Sequence, residues 1–295
     1  MSRRWNRVVR LRIVPGSACA TLECGWWRPR VLASSQQSID APDTEPSDAD
    51  ARPAQAGGAG LAAGVDAALR ELAQAASLKG ALLDVEVADA LVHLDVVAGD
   101  FAAESERQLT AIAGACVAEL LGEDAKEHEI RWQLQSDGRH LLIGAVARAQ
   151  LQALAELAAR HGLRLRSVQP DFCLQWNRHA KLLKPGAGVF AVACGRDAVV
   201  AQVARGTVFA LSGGPWLDRQ HAPGTSNAQA QRLMCGLGLE PNASAGALDL
   251  RVDRLLASAG SQREAQATYV LVAPQVSRKA LSPRWTLIDR EARPS

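Results

Sequence analysis

Aromatic side chains other than tryptophan are scarce: one Tyr and four Phe stand beside seven Trp in 295 residues. Leu, Val and Ala must therefore fill the interior, which predicts an aliphatic core. Metal-spaced cysteines are missing too. The six Cys (Cys19, Cys24, Cys116, Cys173, Cys194 and Cys235) form no CxxC and no Cys/His spacing, and they mostly interrupt apolar runs. This pattern fits free thiols and argues against a metal cage or a dithiol centre. Long apolar runs are absent as well. Gly188 to Cys194 and Leu141 to Ala147 are strand-length, whereas a bilayer span needs about 20 residues. Charge of one sign is lacking, since the formal net charge is only +2. Counterion release needs many clustered cations, so no nucleic-acid partner is expected. Arg3, Arg4, Arg7, Arg10 and Arg12 open the sequence, but Val8 to Val14 alternates with arginine and forms no signal-peptide core. A cytoplasmic protein is expected. Those arginines could meet anionic lipid, although a solvated strand face is the simpler expectation.

Apolar residues make up 48% of the chain and charged residues 22%, an ordinary balance for a globular α/β protein of two lobes. Residues 7 to 33 read as a three-stranded meander. Val9, Leu11 and Ile13 share one face; Ala18, Ala20, Leu22, Cys24 and Trp26 share another; and Pro15-Gly16 turns between them. A short strand, Arg30 to Ala33, closes it. Residues 34–60 are rich in Ser, Asp, Pro, Gly and Ala, which predicts a flexible linker. Leu61, Val65, Leu69 and Leu72 then step at helical spacing. Two alternating strands, Leu83 to Val87 and Ala90 to Val96, are expected to pair as a hairpin about Ala88-Asp89.

Leu109, Ile112, Ala113, Cys116, Val117 and Leu120 form an apolar stripe, with Glu104, Arg107, Gln108 and Glu119 off it, so this helix should lie on a sheet. Ile130, Trp132 and Leu134, an Asp137-Gly138 turn and Leu141 to Ala147 predict a hairpin. A helix from Arg148 should stop at His161-Gly162, before a strand ending at Pro170. The second half repeats the opening: Val189 to Cys194, Ala198 to Ala204 and Thr207 to Leu211 form another meander. A helix about Ala230, Leu233, Met234 and Leu237, then strands Leu248 to Val252, Tyr269 to Ala273 and Trp285 to Ile288, would complete it.

Two meanders, each followed by helices and strands, with an extra αββαββ stretch in the first half, resemble the actin-like (ASKHA) fold. Leu91-Val92-His93-Leu94, the helix, the hairpin, Gly144 to Arg148, Ala158 to Leu163 and Val168 to Asp171 follow one another as in PilM of type IV pilus assembly. The succession is also similar to the cytoplasmic domain of GspL of type II secretion. The resemblance implies a first lobe over 1–180, with the linker at about 34–60 and an inserted α/β subdomain at about 61–147, and a second lobe over 181–295. It implies a bacterial, non-catalytic cytoplasmic scaffold at the inner face of the inner membrane. Such a scaffold would hold the cytoplasmic tail of a single-span partner of PilN type beside the inserted subdomain. Arg107, Arg131 and Trp132 are the contact residues expected there, and a homodimer is left open. Two other readings compete with it, an actin-like ATPase or sugar-kinase relative and an actin-like filament former.

No cofactor is expected. Actin-type ATPases hold phosphates in Gly turns preceded by Asp, because backbone N–H groups must approach the anion while a carboxylate holds the metal. Ile13-Val14-Pro15-Gly16-Ser17 has no Asp, and Pro15 lacks a donor. Ala191 to Cys194 precede Gly195 where an Asp is required, with Asp197 beyond it, and Ala273-Pro274-Gln275 replaces a Gly pair. Asp84, Glu86, His93 and Asp95 could converge on a hairpin as a metal or acid/base cluster, but a solvated sheet face is expected. Ser212-Gly213-Gly214-Pro215 could bind an anion or form a turn, the latter being expected. Trp26-Trp27 could be an exposed anchor or could be buried on both sides.

Overall fold

The computed structural model describes residues 7–25, 29–39, 58–183, 187–194, 197–215, 268–274 and 286–291. The chain divides into two compact units, one built from Met1–Leu91 and Val146–Pro170, the other from Val92–Ala145 and Asp171–Ser295. The helix about Ala230 and the strand Leu248 to Val252 expected from sequence lie outside the described residues, as do Trp26-Trp27.

The first unit is a five-stranded sheet under two helices. Strands β1 (Arg7–Val14), β2 (Ser17–Cys24) and β3 (Arg30–Ser38) form the expected antiparallel meander, and Gly16, at φ +80°, makes the Pro15-Gly16 turn possible. Helix α1 (Gly58–Ala75) crosses over to β4 (Leu82–Val87), which joins β1 in parallel. Helix α3 (Arg148–Arg160), numbered in chain order after an intervening α2, leads to β8 (Arg164–Pro170), again parallel to β4. The strand order is β3-β2-β1-β4-β8. Period-two alternation places Val9, Leu11, Ile13, Ala18, Ala20, Leu22, Leu83 and Val85 in the core, which Val65, Ala68, Leu69 and Leu72 of α1 complete. Each large aliphatic side chain so buried contributes roughly 1.5–3 kcal/mol.

Strand β3 is longer than the sequence suggested. The expectation of a strand ending at Ala33 followed by linker rested on small polar residues, yet Ser35 Oγ donates to Ala68 O at 2.6 Å, and Gln37 Nε2 donates to Glu71 Oε2 at 2.8 Å. Ile39 closes on α1 where a Cβ at Gly64 would meet its Cγ1 at 2.5 Å. Helix α1 thus supplies the partners that the polar sequence lacks by itself. Asp66 of α1 accepts from His161 Nε2 at 2.9 Å, pairs with Arg160 at 3.5 Å and is bonded by Arg70, which ties α1 to the end of α3.

The second unit holds two sheets. The chain leaves the first sheet after β4, builds β5 (His93–Ala98), α2 (Glu106–Leu121), β6 (His128–Leu134) and β7 (His140–Ala147), and returns to it through α3. These form a three-stranded sheet of order β5-β7-β6, an α/β insertion between strands of the first sheet. Beyond β8, helix α4 (Asp171–Leu183) precedes β9 (Ala187–Cys194), β10 (Asp197–Ala204), β11 (Thr207–Pro215), β12 (Thr268–Pro274) and β13 (Thr286–Glu291). Their order, β11-β10-β9-β12-β13, repeats that of the first sheet. The directions differ: β12 is antiparallel to β9, where β4 is parallel to β1.

Two further expectations are corrected. Leu83 to Val87 and Ala90 to Val96 do not form a hairpin; β4 pairs with β1 and β8, β5 pairs with β7, and Asp89–Leu91 is a helical turn between them. Ser212-Gly213-Gly214-Pro215 is not a turn but ladder, opposite Val200 to Asp197. Helix α4 was not foreseen, although Phe172 and Trp176 recur at helical spacing and pack on Phe190 with centroids 5.7 and 5.3 Å away.

The inserted subdomain as a candidate partner-binding surface

Helix α2 begins with a reciprocal cap. Ser105 Oγ accepts from the Gln108 N–H at 3.4 Å, and Gln108 Oε1 accepts from the Ser105 N–H at 2.9 Å. From that start Leu109, Ala113, Val117 and Leu121 fall on one stripe and are buried. They meet Leu141, Ile143 and Ala145 of β7, with Phe101 and Ala125 at the margins. Ile130, Trp132 and Leu134 of β6 pack against the same core. Strand β7 is the middle of its sheet and is apolar from Leu141 to Ala147, with Leu141, Leu142, Ile143 and Ala145 buried.

Strand β6 is an outer strand, and no described strand pairs with its far edge. The Gln135 N–H donates to His140 O at 2.9 Å across the hairpin turn. By the alternation of an antiparallel ladder, Ile130, Trp132 and Leu134 then turn their backbone N–H and C=O groups to the open edge.

The sequence candidates bracket this edge. Trp132 lies on the α2 side, half-buried, and its Nε1 donates to Thr110 Oγ1 at 3.1 Å. Arg107 stands exposed one turn before Thr110 on α2. Arg131 points to the opposite face of β6, exposed, and pairs with Glu129 at 2.9 Å. The structure therefore places Trp132 on the α2 side of β6 and Arg131 on the other, while Arg107 stands on α2 itself.

Sequence reasoning missed the side chains that fasten this subdomain within its unit. Gln135, just beyond β6, donates from Nε2 to Val208 O, and the Val208 N–H donates to its Oε1 at 2.7 Å. A side-chain amide thus takes the place of a neighbouring strand at the outer edge of β11. His140 Nδ1 lies 2.6 Å from Asp137 Oδ2, and its ring stands 6.3 Å from that of Phe209. Burial pushes the Asp137 carboxyl up, but the Arg139 N–H and the His140 ring and N–H together hold it below the usual carboxylate range. Leu94 and Val96 of β5 reach the core of Phe172, Phe190, Val192 and Val208. A strand-end glutamine has no local signature, so only the tertiary contact reveals its role.

The other chemical candidates do not assemble. Asp84 accepts from Arg166 Nε and from Ser167 Oγ, both at 2.8 Å, while Glu86 pairs with Arg10 at 3.7 Å; both carboxylates belong to an ion-paired sheet face. His93 and Asp95 lie on another sheet, opposite Ala145 and Ile143 of β7, and His93 meets His128 edge-on at 5.6 Å. Among the described residues no three His, Cys, Asp or Glu side chains are placed to hold a metal ion. Burial, then Asp95 and Glu119, raise the Cys116 thiol, which makes it a poor nucleophile. The Pro15-Gly16 turn carries no carboxylate, Gly195-Arg196 lies outside the described residues, and β12 ends at Pro274. No described helix is long and apolar enough to cross a membrane.

No family model matches the sequence. None of the curated proteins matches it either. Solved structures do. A chain of the PilM-PilN type IV pilus biogenesis complex superposes with a TM-score of 0.50 at 12% identity, over 83% of this chain and 77% of that one. The cytoplasmic domain of EpsL, an inner-membrane component of the Vibrio cholerae type II secretion system, gives 0.46 at 15% identity, over 72% and 73%. A Bacteroides thetaiotaomicron protein of actin-like ATPase fold gives 0.47 at 8% identity, over 80% and 78%. The chain is an α/β protein with a subdomain inserted in its first half, similar in fold to the chain of the PilM-PilN complex.

Proposed function

We propose that this chain is a non-catalytic scaffold of a pilus or secretion assembly platform, and that it holds the cytoplasmic tail of a single-span, PilN-type membrane protein. The observation that carries this reading is the open edge of β6, with Trp132 on one side of the strand and Arg131 on the other; Arg107 of α2 would join Trp132 on the tail. An extended tail can add there as a fourth strand, taking affinity from main-chain hydrogen bonds and selectivity from the flanking side chains. Association through that tail would keep the chain at the inner face of the inner membrane. The fold likeness to the PilM-PilN complex supports the choice of partner class.

Titration with synthetic peptides, matching the cytoplasmic tails of single-span membrane proteins encoded beside its gene, tests the reading. One such peptide is expected to bind, with Trp132→Ala and Arg131→Glu each weakening it about tenfold or more. A tail that binds equally well to both variants would place the partner elsewhere.

In the same reading the phosphate cradle is lost, because the β1–β2 turn offers no carboxylate for a metal and Pro15 no donor. Calorimetric titration with Mg-ATP is expected to give no saturable heat. Micromolar binding would favour the ATPase reading instead.

A further inference from the structure

The first unit sorts its cations by place. On the polar face of the sheet Arg10 pairs with Glu23 at 2.9 Å and with Glu86 at 3.7 Å, and Arg166 donates to Asp84 at 2.8 Å. Those charges are neutralised where they stand. At one end of the sheet they are not. Strands β1, β3, β4 and β8 run in the same direction, because β2 is antiparallel to both β1 and β3 while β4 is parallel to β1 and β8. A cation marks the start of each: Arg7 opens β1, Arg30 opens β3, Arg164 opens β8, and Lys79 precedes β4. Lys79 belongs to the same end, since its Cα lies 3.6 Å from where a Cβ on Gly162 would stand. The same strands finish on Val14, Ser38, Val87 and Pro170, none of them charged.

None of the four cations forms an ion pair with a described residue. Arg30, Lys79 and Arg164 are exposed and Arg7 is half-buried. Asp66 adds little relief, because Arg70, Arg160 and His161 already share its carboxylate. In the ladder Arg7 and Arg30 flank Cys24, and Arg164 lies two strands from Val8 on the other side, so neighbouring cations stand about 10 Å apart. Like charges gathered on one edge repel, and folding gains nothing from placing them there. That spacing is too wide for one phosphate to bridge them and suits a surface of many.

We propose that this end of the first sheet is a contact for an anionic membrane surface, with lipid phosphates meeting Arg7, Arg30, Lys79 and Arg164. Val31 and Leu32, 49% and 54% exposed, directly follow Arg30. A bilayer interface accepts cations and aliphatic side chains together, whereas a nucleic-acid backbone rewards the cations alone. The choice of a membrane rests on the inner-face position proposed above, but vesicle binding needs no tail peptide, so the two readings can fail separately.

Flotation of the full chain with vesicles tests it. Vesicles of equal parts phosphatidylglycerol and phosphatidylcholine are expected to carry the chain upward, phosphatidylcholine alone to leave it behind, and added salt to release it. Each cation near such a surface strengthens binding about fivefold. Lys79→Glu combined with Arg164→Glu, and Arg7→Glu combined with Arg30→Glu, should therefore each weaken it about tenfold or more. Lys126→Glu combined with Arg139→Glu makes the same change of net charge at exposed residues of the second unit and should leave vesicle binding unchanged. Should a reversed pair not fold, Lys79→Gln and Arg164→Gln, which only remove charge, decide. A chain that ignores the anionic vesicles overturns the proposal, as does binding that both reversed pairs retain or that the Lys126 and Arg139 pair loses equally. A chain that leaves vesicles alone yet retards an RNA duplex at the same salt would give these cations to nucleic acid, which also overturns it.

Discussion

Trp132 has two duties that can be separated. Its ring fills the α2 side of β6, and its Nε1 donates to Thr110. Trp132→Phe keeps most of the packing and loses the bond, so chemical denaturation should show a loss of about 0.5–1.5 kcal/mol. Asp66 sets a pH dependence. The hydrogen bond from His161 is the largest cause that holds its carboxyl below the ordinary range, with Arg70 and Arg160 adding to it against the opposing effect of burial. A carboxylate depressed in the folded state contributes stability above its unfolded value, about 3.9, and loses that contribution as pH falls through the folded value. Stability measured across pH 5 to pH 2 should fall on this limb, and Asp66→Asn should flatten it; an unchanged acid limb would mean the α1–α3 tie is inconsequential. Individual residues of this kind were only partly legible. Trp132 could be picked from the alternation of Ile130, Trp132 and Leu134, but nothing in the sequence joins it to Thr110, or Asp66 to His161, 95 positions away.

Elements were legible where periodicity was strong and local. The β6–β7 hairpin with its Asp137-Gly138 turn, the opening meander and most of the α2 stripe follow from spacing that the structure repeats, except that Leu121 is buried and Leu120, expected on the stripe, is exposed. Errors arose where partners were distant. The hairpin expected at Ala88-Asp89 fails because β4 finds parallel neighbours on both sides, a gain that no local pattern announces. The polar end of β3 looked like linker because α1 supplies its bonds. The tie between Gln135 and Val208 is the element-scale contact with the clearest consequence. Gln135→Ala leaves a buried backbone N–H and C=O without this partner, so a loss of about 1–3 kcal/mol is expected. Amide exchange at Val208 should quicken at the same time. Retained protection of Val208 would show that β11 is covered by other means.

At the scale of the molecule, one strand order appears twice, and this repetition was visible in the sequence as two meanders. The reversal of β12 was not, since no local pattern in a strand's own residues sets its direction against a distant neighbour. The duplicated sheets carry the frame, while the insertion contributes the outer edge of β6 with Trp132 and Arg131 on its two sides. The central claim is that a membrane partner's tail extends the inserted sheet at β6. Amide exchange at Ile130, Trp132 and Leu134, with and without a bound tail peptide, addresses it residue by residue. These three amides are predicted to slow on binding, while Glu129, Arg131 and Gln133, already turned to β7, change little. A peptide that binds while all six exchange as before would contradict the account.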